Sequence, residues 1–132
     1  MKIIADSTPL IHLAKIGKIN YLKDIFDKII IAKEIYQEVI EKGEELHKGE
    51  VEIIKRLIDE NFIIVKETKA GIEMPNLDLG EKCALSLCKE LKINNLLIDE
   101  KEGFNAAIML NLIPIRTTSI LIILLDKKII YL

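Results

Sequence analysis

The sequence predicts a three-layer α/β/α sandwich around a mostly parallel sheet of four or five short strands, on three observations. Short runs of branched apolar residues at Ile3–Ala5, Ile29–Ile31 and Leu96–Ile98 have the form of strands buried on both faces. Stretches with apolar residues at helical spacing separate them, and strands alternating with helices build parallel sheets by crossover connections. Two of the runs stop at an acid, Asp6 and Asp99. In a parallel sheet, both of those carboxyl ends lie on one edge, which is where open α/β sheets bind ligands.

Taken in order, Ile3–Ala5 is the first strand, and Ser7-Thr8-Pro9 offers hydroxyls to cap a helix with proline in its first turn. Leu10, Ile11, Leu13, Ala14 and Ile16 give that helix an apolar face until Gly17 ends it. A short helix over Tyr21–Phe26 leads into the strand Ile29–Ile31. From Lys33, Ile35, Val39 and Ile40 share one helical face, with Gly43 as the expected stop, and Glu44–Asp59 reads as a longer amphipathic helix. Phe62–Val65 is an expected edge strand, and Lys66–Asp78, with Gly71, Pro75 and Asn76, a loop. In Glu81–Leu91, Cys83, Ala84, Leu87, Cys88 and Leu91 line one face of a helix. Its first turn carries Glu81, where the helix dipole favours a carboxylate. Beyond Asp99, Ala106, Ala107 and Leu110 mark a helix, Leu112–Ile115 a strand, and Thr117-Thr118-Ser119 the cap of a helix running to Leu125; Ile129–Leu132 ends the chain.

With 132 residues, half of them hydrophobic and 30% charged, the chain suits one domain over residues 1–132 and not a disordered segment. A net charge of −2 excludes binding to nucleic acid through a large basic surface, so any such contact must be local. No apolar run is long enough for a signal peptide or a membrane span, and the expected location is cytoplasmic. Cys83 and Cys88 lie about 7.5 Å apart along a helix axis and roughly 140° round it, beyond disulfide reach, and read as reduced core thiols. With the isolated His12 and His47 they make no zinc-type spacing.

If the strands ending in Asp6 and Asp99 are neighbours, their carboxylates share a cleft that Glu38 and Glu81 can also reach. Such crowded carboxylates repel unless one is protonated or a cation is bound, and all-oxygen ligands select a hard ion, Mg²⁺ or Mn²⁺. Such an ion activates water and neutralises charge developing on a phosphodiester. Singly, the acids also fit plainer roles. Glu38 and Glu81 suit a solvated helix surface or a dipole-favoured first turn, and Asp6 and Asp99 suit turn caps. Arg116, Lys82 and Lys101 could meet a phosphate, or form surface pairs.

Four blocks, Asp6-Ser7-Thr8-Pro9-Leu10-Ile11, Ile31–Val39, Leu79-Gly80-Glu81-Lys82-Cys83-Ala84 and Leu97-Ile98-Asp99-Glu100-Lys101, resemble in order those of PIN-domain proteins. The likeness is to the small prokaryotic, VapC-like branch with Leu-Gly-Glu in its third block. The resemblance implies a metal-dependent ribonuclease, with Asp6, Glu38, Glu81 and Asp99 as catalytic metal ligands and Mg²⁺ or Mn²⁺ as cofactor. It also implies Thr8 and Thr117 as hydroxyl residues of the site beside Arg116, with RNA as substrate and a small antitoxin as partner. A non-catalytic PIN-fold module that binds RNA or protein is the alternative. Phe104 stands where close relatives carry Arg, and Ala32 where many have Pro. A homodimer is expected, because Ile120, Leu121, Ile123 and Leu124 make the last helix apolar nearly all round.

Overall fold

The computed structural model describes residues 1–69 and 72–131; Gly71 of the expected loop and the terminal Leu132 lie outside these. Five strands, β1 (Lys2–Ala5), β2 (Lys28–Ala32), β3 (Ile63–Lys66), β4 (Asn95–Leu97) and β5 (Ile113–Ile115), form one sheet in the order β3-β2-β1-β4-β5. Every pairing is parallel, with Ile3 opposite Ile29, and Ile4 and Ala5 opposite Leu96 and Leu97. The central strands carry the apolar runs for a physical reason. Successive strand residues point to opposite faces, yet Ile3–Ala5, Ile29–Ala32, Leu96 and Leu97 are all at most 5% exposed, so both faces are covered.

The covering helices are α1 (Ser7–Lys15), α2 (Lys33–Tyr36), α3 (Lys42–Glu45), α4 (Glu50–Asp59), α5 (Leu79–Leu91), α6 (Lys101–Met109) and α7 (Thr117–Asp126). Helix α1 touches α4 and α7, while α5 lies over β1, β2 and β4 and meets α2. From β1 the chain steps outward to β2 and β3, then returns to β4 on the other side of β1. The order therefore reverses between β1 and β4, and the crevice at that switch point is bounded by the residues that follow these strands, Asp6 and Asp99.

Several expected boundaries move. Gly43 does not end its helix. It is buried within a segment that runs α2, a π-helical turn (Gln37–Glu41) and α3 without interruption. A Cβ there would stand 2.6 Å from Val51 Cγ2, so the glycine admits α4 instead of stopping a helix. The stop comes at His47, at φ 53°, where His47 N–H donates to Glu44 O at 3.1 Å and Lys48 N–H to Gly43 O at 2.9 Å. The helix expected over Glu44–Asp59 is accordingly broken, and α4 starts only at Glu50. The expected Tyr21–Phe26 helix is a 3₁₀ segment at Ile19–Asp24. Helices α1 and α7 take Asp6 and Arg116 as their N-caps, with no side-chain cap bond from either, rather than the hydroxyls of Ser7-Thr8 or Thr117–Ser119. Gly17, at φ 71°, does end the first helix, and Phe62–Val65 falls on the edge strand β3. Cys83 and Cys88 are buried free thiols, pushed up to about 11 and about 12, chiefly by burial. Among the described residues no helix is long and apolar enough to cross a membrane.

Candidate functional site

Asp6 follows β1 directly, and its N–H still belongs to the sheet, donating to Leu97 O at 2.9 Å. That bond fixes the residue at the switch point, and the surrounding core leaves it only 3% exposed. Burial raises its carboxyl pKa to about 7. The Ser7 backbone N–H opposes the rise, and the charges of Asp78, Glu81 and Glu38 add to it.

Glu81 enters the same neighbourhood from α5. Asp78 caps that helix by accepting from Glu81 N–H at 2.7 Å, and Glu81 Oε1 accepts from Asp78 N–H at 3.0 Å, a reciprocal capping box. The box leaves the second carboxylate oxygen over. Oε2 is buried and has no hydrogen-bond partner among the described residues, and the residue is 4% exposed. Its pKa is raised, first by burial and then by the charges of Asp78, Glu100 and Glu102, against the pull of the Asp78 N–H.

Glycines make the room. A Cβ at Gly103 would stand 2.7 Å from Glu81 Oε2 and 2.4 Å from Ile98 Cδ1. One at Gly80 would meet Ile35 Cδ1 at 3.0 Å, with Asp78 Oδ1 and Glu38 Oε2 each at 3.5 Å. Glu38 itself is exposed and rides on the π-helical turn, a distortion that redirects side chains out of helical register and is frequent at functional sites.

Asp99 has other partners. Oδ1 accepts from Thr117 N–H at 2.8 Å, and Oδ2 from Thr117 Oγ1 at 2.7 Å and from His12 Nδ1 at 3.0 Å. As an acceptor-only carboxylate it assigns the proton to Nδ1 of His12. These bonds tie the end of β4 to the first turn of α7 and to α1. Beside them Arg116 lays its guanidinium 4.2 Å from the centroid of the Phe104 ring.

The sequence profile of the PIN domain family DUF3368 matches residues 2–132. The chain is a PIN domain. Solved structures agree on the fold. A PilT N-terminus domain protein of the hyperthermophilic archaeon Sulfolobus solfataricus P2 superposes with TM-score 0.62 at 20% identity, over 89% of this chain and 88% of that one. A domain of a functionally unknown protein from Methanocaldococcus jannaschii DSM 2661 does so with TM-score 0.58 at 20% identity, over 87% and 89%. No curated protein matches the chain.

In this PIN domain the expected acids fall into two groups. The charges of Glu38 and Glu81 act on Asp6, while Asp99 is engaged by Thr117 and His12. Among the described residues no three His, Cys, Asp or Glu side chains stand close enough together to hold an ion as they are. The donor chemistry nonetheless fits a hard divalent cation. It is all oxygen, one buried oxygen has no partner, and two carboxyls have raised pKa values that a cation would reverse. Thr8 is half-buried in the first turn of α1. Lys82 lies 3.7 Å from Glu73, and Lys101 is exposed. Two site residues escaped the sequence reading. Asp78 was visible as the Asp-x-x-Glu signature of a capping box, whereas nothing local marks His12, whose partner is 87 residues away.

Proposed function

We propose that this PIN domain is a metal-dependent ribonuclease of the VapC-like branch, with Asp6, Glu38, Glu81 and Asp99 as the set that would hold Mg²⁺ or Mn²⁺. The observation that carries the proposal is Asp6. A carboxyl 3% exposed, raised to about 7 and surrounded by three more acids at the switch point of a parallel sheet is costly unless a cation relieves it. A divalent ion bound there supplies Lewis-acid polarisation of a phosphodiester and neutralises the charge that develops on it.

The chain's own residues do the rest. Asp6 presents a carboxylate from a rigid strand end, and Glu81 presents the oxygen that its capping box leaves unused. Thr117 and His12 orient Asp99 as hydrogen-bonded second-layer partners orient metal-ligating carboxylates. Arg116, with Thr117 and Thr8, would meet the RNA. A toxin role, with a small antitoxin covering the site, and pairing of two copies through α7 belong to the same proposal.

A second reading, a PIN module that binds without cutting, is favoured by the engagement of both Asp99 oxygens and by the open spacing of the acids. End-labelled single-stranded RNA separates the two. The nuclease cuts it with Mg²⁺ or Mn²⁺, and both EDTA and Asp6→Asn abolish cutting. RNA left intact by folded wild-type protein with either ion refutes the nuclease.

A further inference from the structure

A groove of about 520 Å³ lies not over the acids but beside Asp99, between the end of α1 and the start of α7. Sites of about 300–1,000 Å³ are of the size that holds a small ligand on the scale of a nucleotide. Two cations line it, Lys15 and Arg116. Lys23, Lys33, Lys55 and Lys82 each pair with a glutamate, but among the described residues neither Lys15 nor Arg116 has a carboxylate partner. Arg116 sits instead over the Phe104 ring, a contact that leaves its charge without a carboxylate to answer it.

The one carboxylate in the lining, Asp99, makes no ion pair with Lys15 or Arg116 among the described residues. Both Asp99 oxygens already accept hydrogen bonds, from Thr117 and from His12. The remaining lining suits the other parts of a nucleotide. Ile16, 52% exposed, offers an apolar wall to a sugar or a base, and Thr118 offers an exposed hydroxyl. On a chain of net charge −2, an unpaired Lys–Arg pair in a concave site is a local anion site.

We propose that this groove seats the sugar–phosphate backbone of a single RNA strand next to the acid cluster, with Arg116 and Lys15 contacting its phosphates and Phe104 positioning Arg116. The assignment rests on the nuclease reading for its choice of RNA and deepens it. The strand enters along α1 and α7, and Asp99 marks the boundary between holding the strand and acting on it. A single strand is required because the apolar wall is reached only by a base or sugar turned out of a helix.

The test is fluorescence anisotropy of a labelled single-stranded RNA in EDTA, where cutting is silent, across a series of salt concentrations. Each phosphate contact on a single strand contributes about 0.7 to the slope of log affinity against log salt. Lys15→Gln and Arg116→Gln should each weaken binding about 3- to 10-fold and flatten that slope by about 0.7, and the double variant by about twice that. Lys92→Gln, at the carboxyl end of α5 and so near the opposite edge of the sheet, should change neither. Phe104→Leu should weaken binding while keeping the slope, because the charge remains and only its platform is lost. Affinity within twofold of wild type and an unchanged slope in both charge variants overturn the groove, even if the wild type cuts RNA. Tighter binding of a duplex of the same sequence also overturns it. The expected slopes in a protein that never cuts support the groove and refute only the nuclease.

Discussion

Asp6→Asn isolates the electrostatic cost of the site. In the unfolded chain Asp6 titrates near its ordinary value of 3.8; in the folded protein it titrates at about 7. Between those values the folded state keeps a proton that the unfolded state has lost, so stability falls as pH rises. The raised pKa thus contributes stability that is whole below about pH 4 and gone above about pH 7. Over the interval of about three pKa units, at 1.36 kcal/mol per unit, the fall is about 4 kcal/mol. Asn carries no such titration. Urea unfolding in EDTA at pH 4 to 8 should therefore show the variant gaining on wild type by about 1.4 kcal/mol per pH unit to pH 7 and then holding level. Between pH 4 and pH 8 this corresponds to a gain in melting temperature over wild type of roughly 14 °C in a domain of this size. Added Mg²⁺ or Mn²⁺ should raise wild-type stability by mass action and leave the variant unmoved. A wild-type-minus-variant difference that is flat from pH 4 to 8 refutes the buried, proton-holding Asp6.

Asp99→Ala should behave in the opposite sense and lose about 1–2 kcal/mol at neutral pH without metal, and more with Mg²⁺ or Mn²⁺ present, since a proposed ligand is lost as well. It strips Thr117 N–H, at the start of α7, of its acceptor; equal or higher stability in calorimetry would remove the clamp. Gly103→Ala places a methyl 2.4 Å from Ile98 Cδ1 and 2.7 Å from Glu81 Oε2, and should cost about 1–3 kcal/mol while weakening any metal-induced rise in melting temperature. A variant with wild-type stability and metal response defeats that account. Sedimentation at high micromolar concentration should show a dimer, and monomer alone refutes pairing; Ile120 and Leu124 lie in the core, leaving Ile122 as the most exposed apolar side chain of α7.

The strands were legible because a strand buried on both faces needs an unbroken apolar run, and Ile3–Ala5, Ile29–Ile31 and Leu96–Ile98 are such runs. Glu81 was legible as a first-turn acid for the same local reason, since a helix dipole and a capping box act within four residues. The errors share a cause as well. Gly43 reads as a stop by its own chemistry, but what decides its conformation is Val51, which needs the space its missing Cβ leaves. The hydroxyls of Thr117–Ser119 read as caps, but an acid 18 residues upstream reaches Thr117 N–H first. Propensity describes what a residue prefers alone, and each of these positions is settled by a neighbour brought in by the fold.

Asp6 and Asp99 hold equivalent places, each just beyond a central strand, and the sheet alone gives no reason for them to differ. The helices that follow make the difference. After β1 the chain turns at once into α1, and the acids of α5 and the π-helical turn close around Asp6, so its charge is opposed by every carboxylate near it. After β4, Asp99 meets the start of α7 and the imidazole of α1, and its charge is answered by three donors. One acid is therefore held against its own ionisation and the other is settled by hydrogen bonds. A cation approaching this edge would find its strongest electrostatic reward at Asp6 and Glu81, and a phosphate its own beyond Asp99, where Lys15 and Arg116 have no carboxylate partner among the described residues. On the proposals above, a strand seated by Lys15 and Arg116 would pass Asp99 to bring a phosphodiester to the ion that Asp6 and Glu81 would hold.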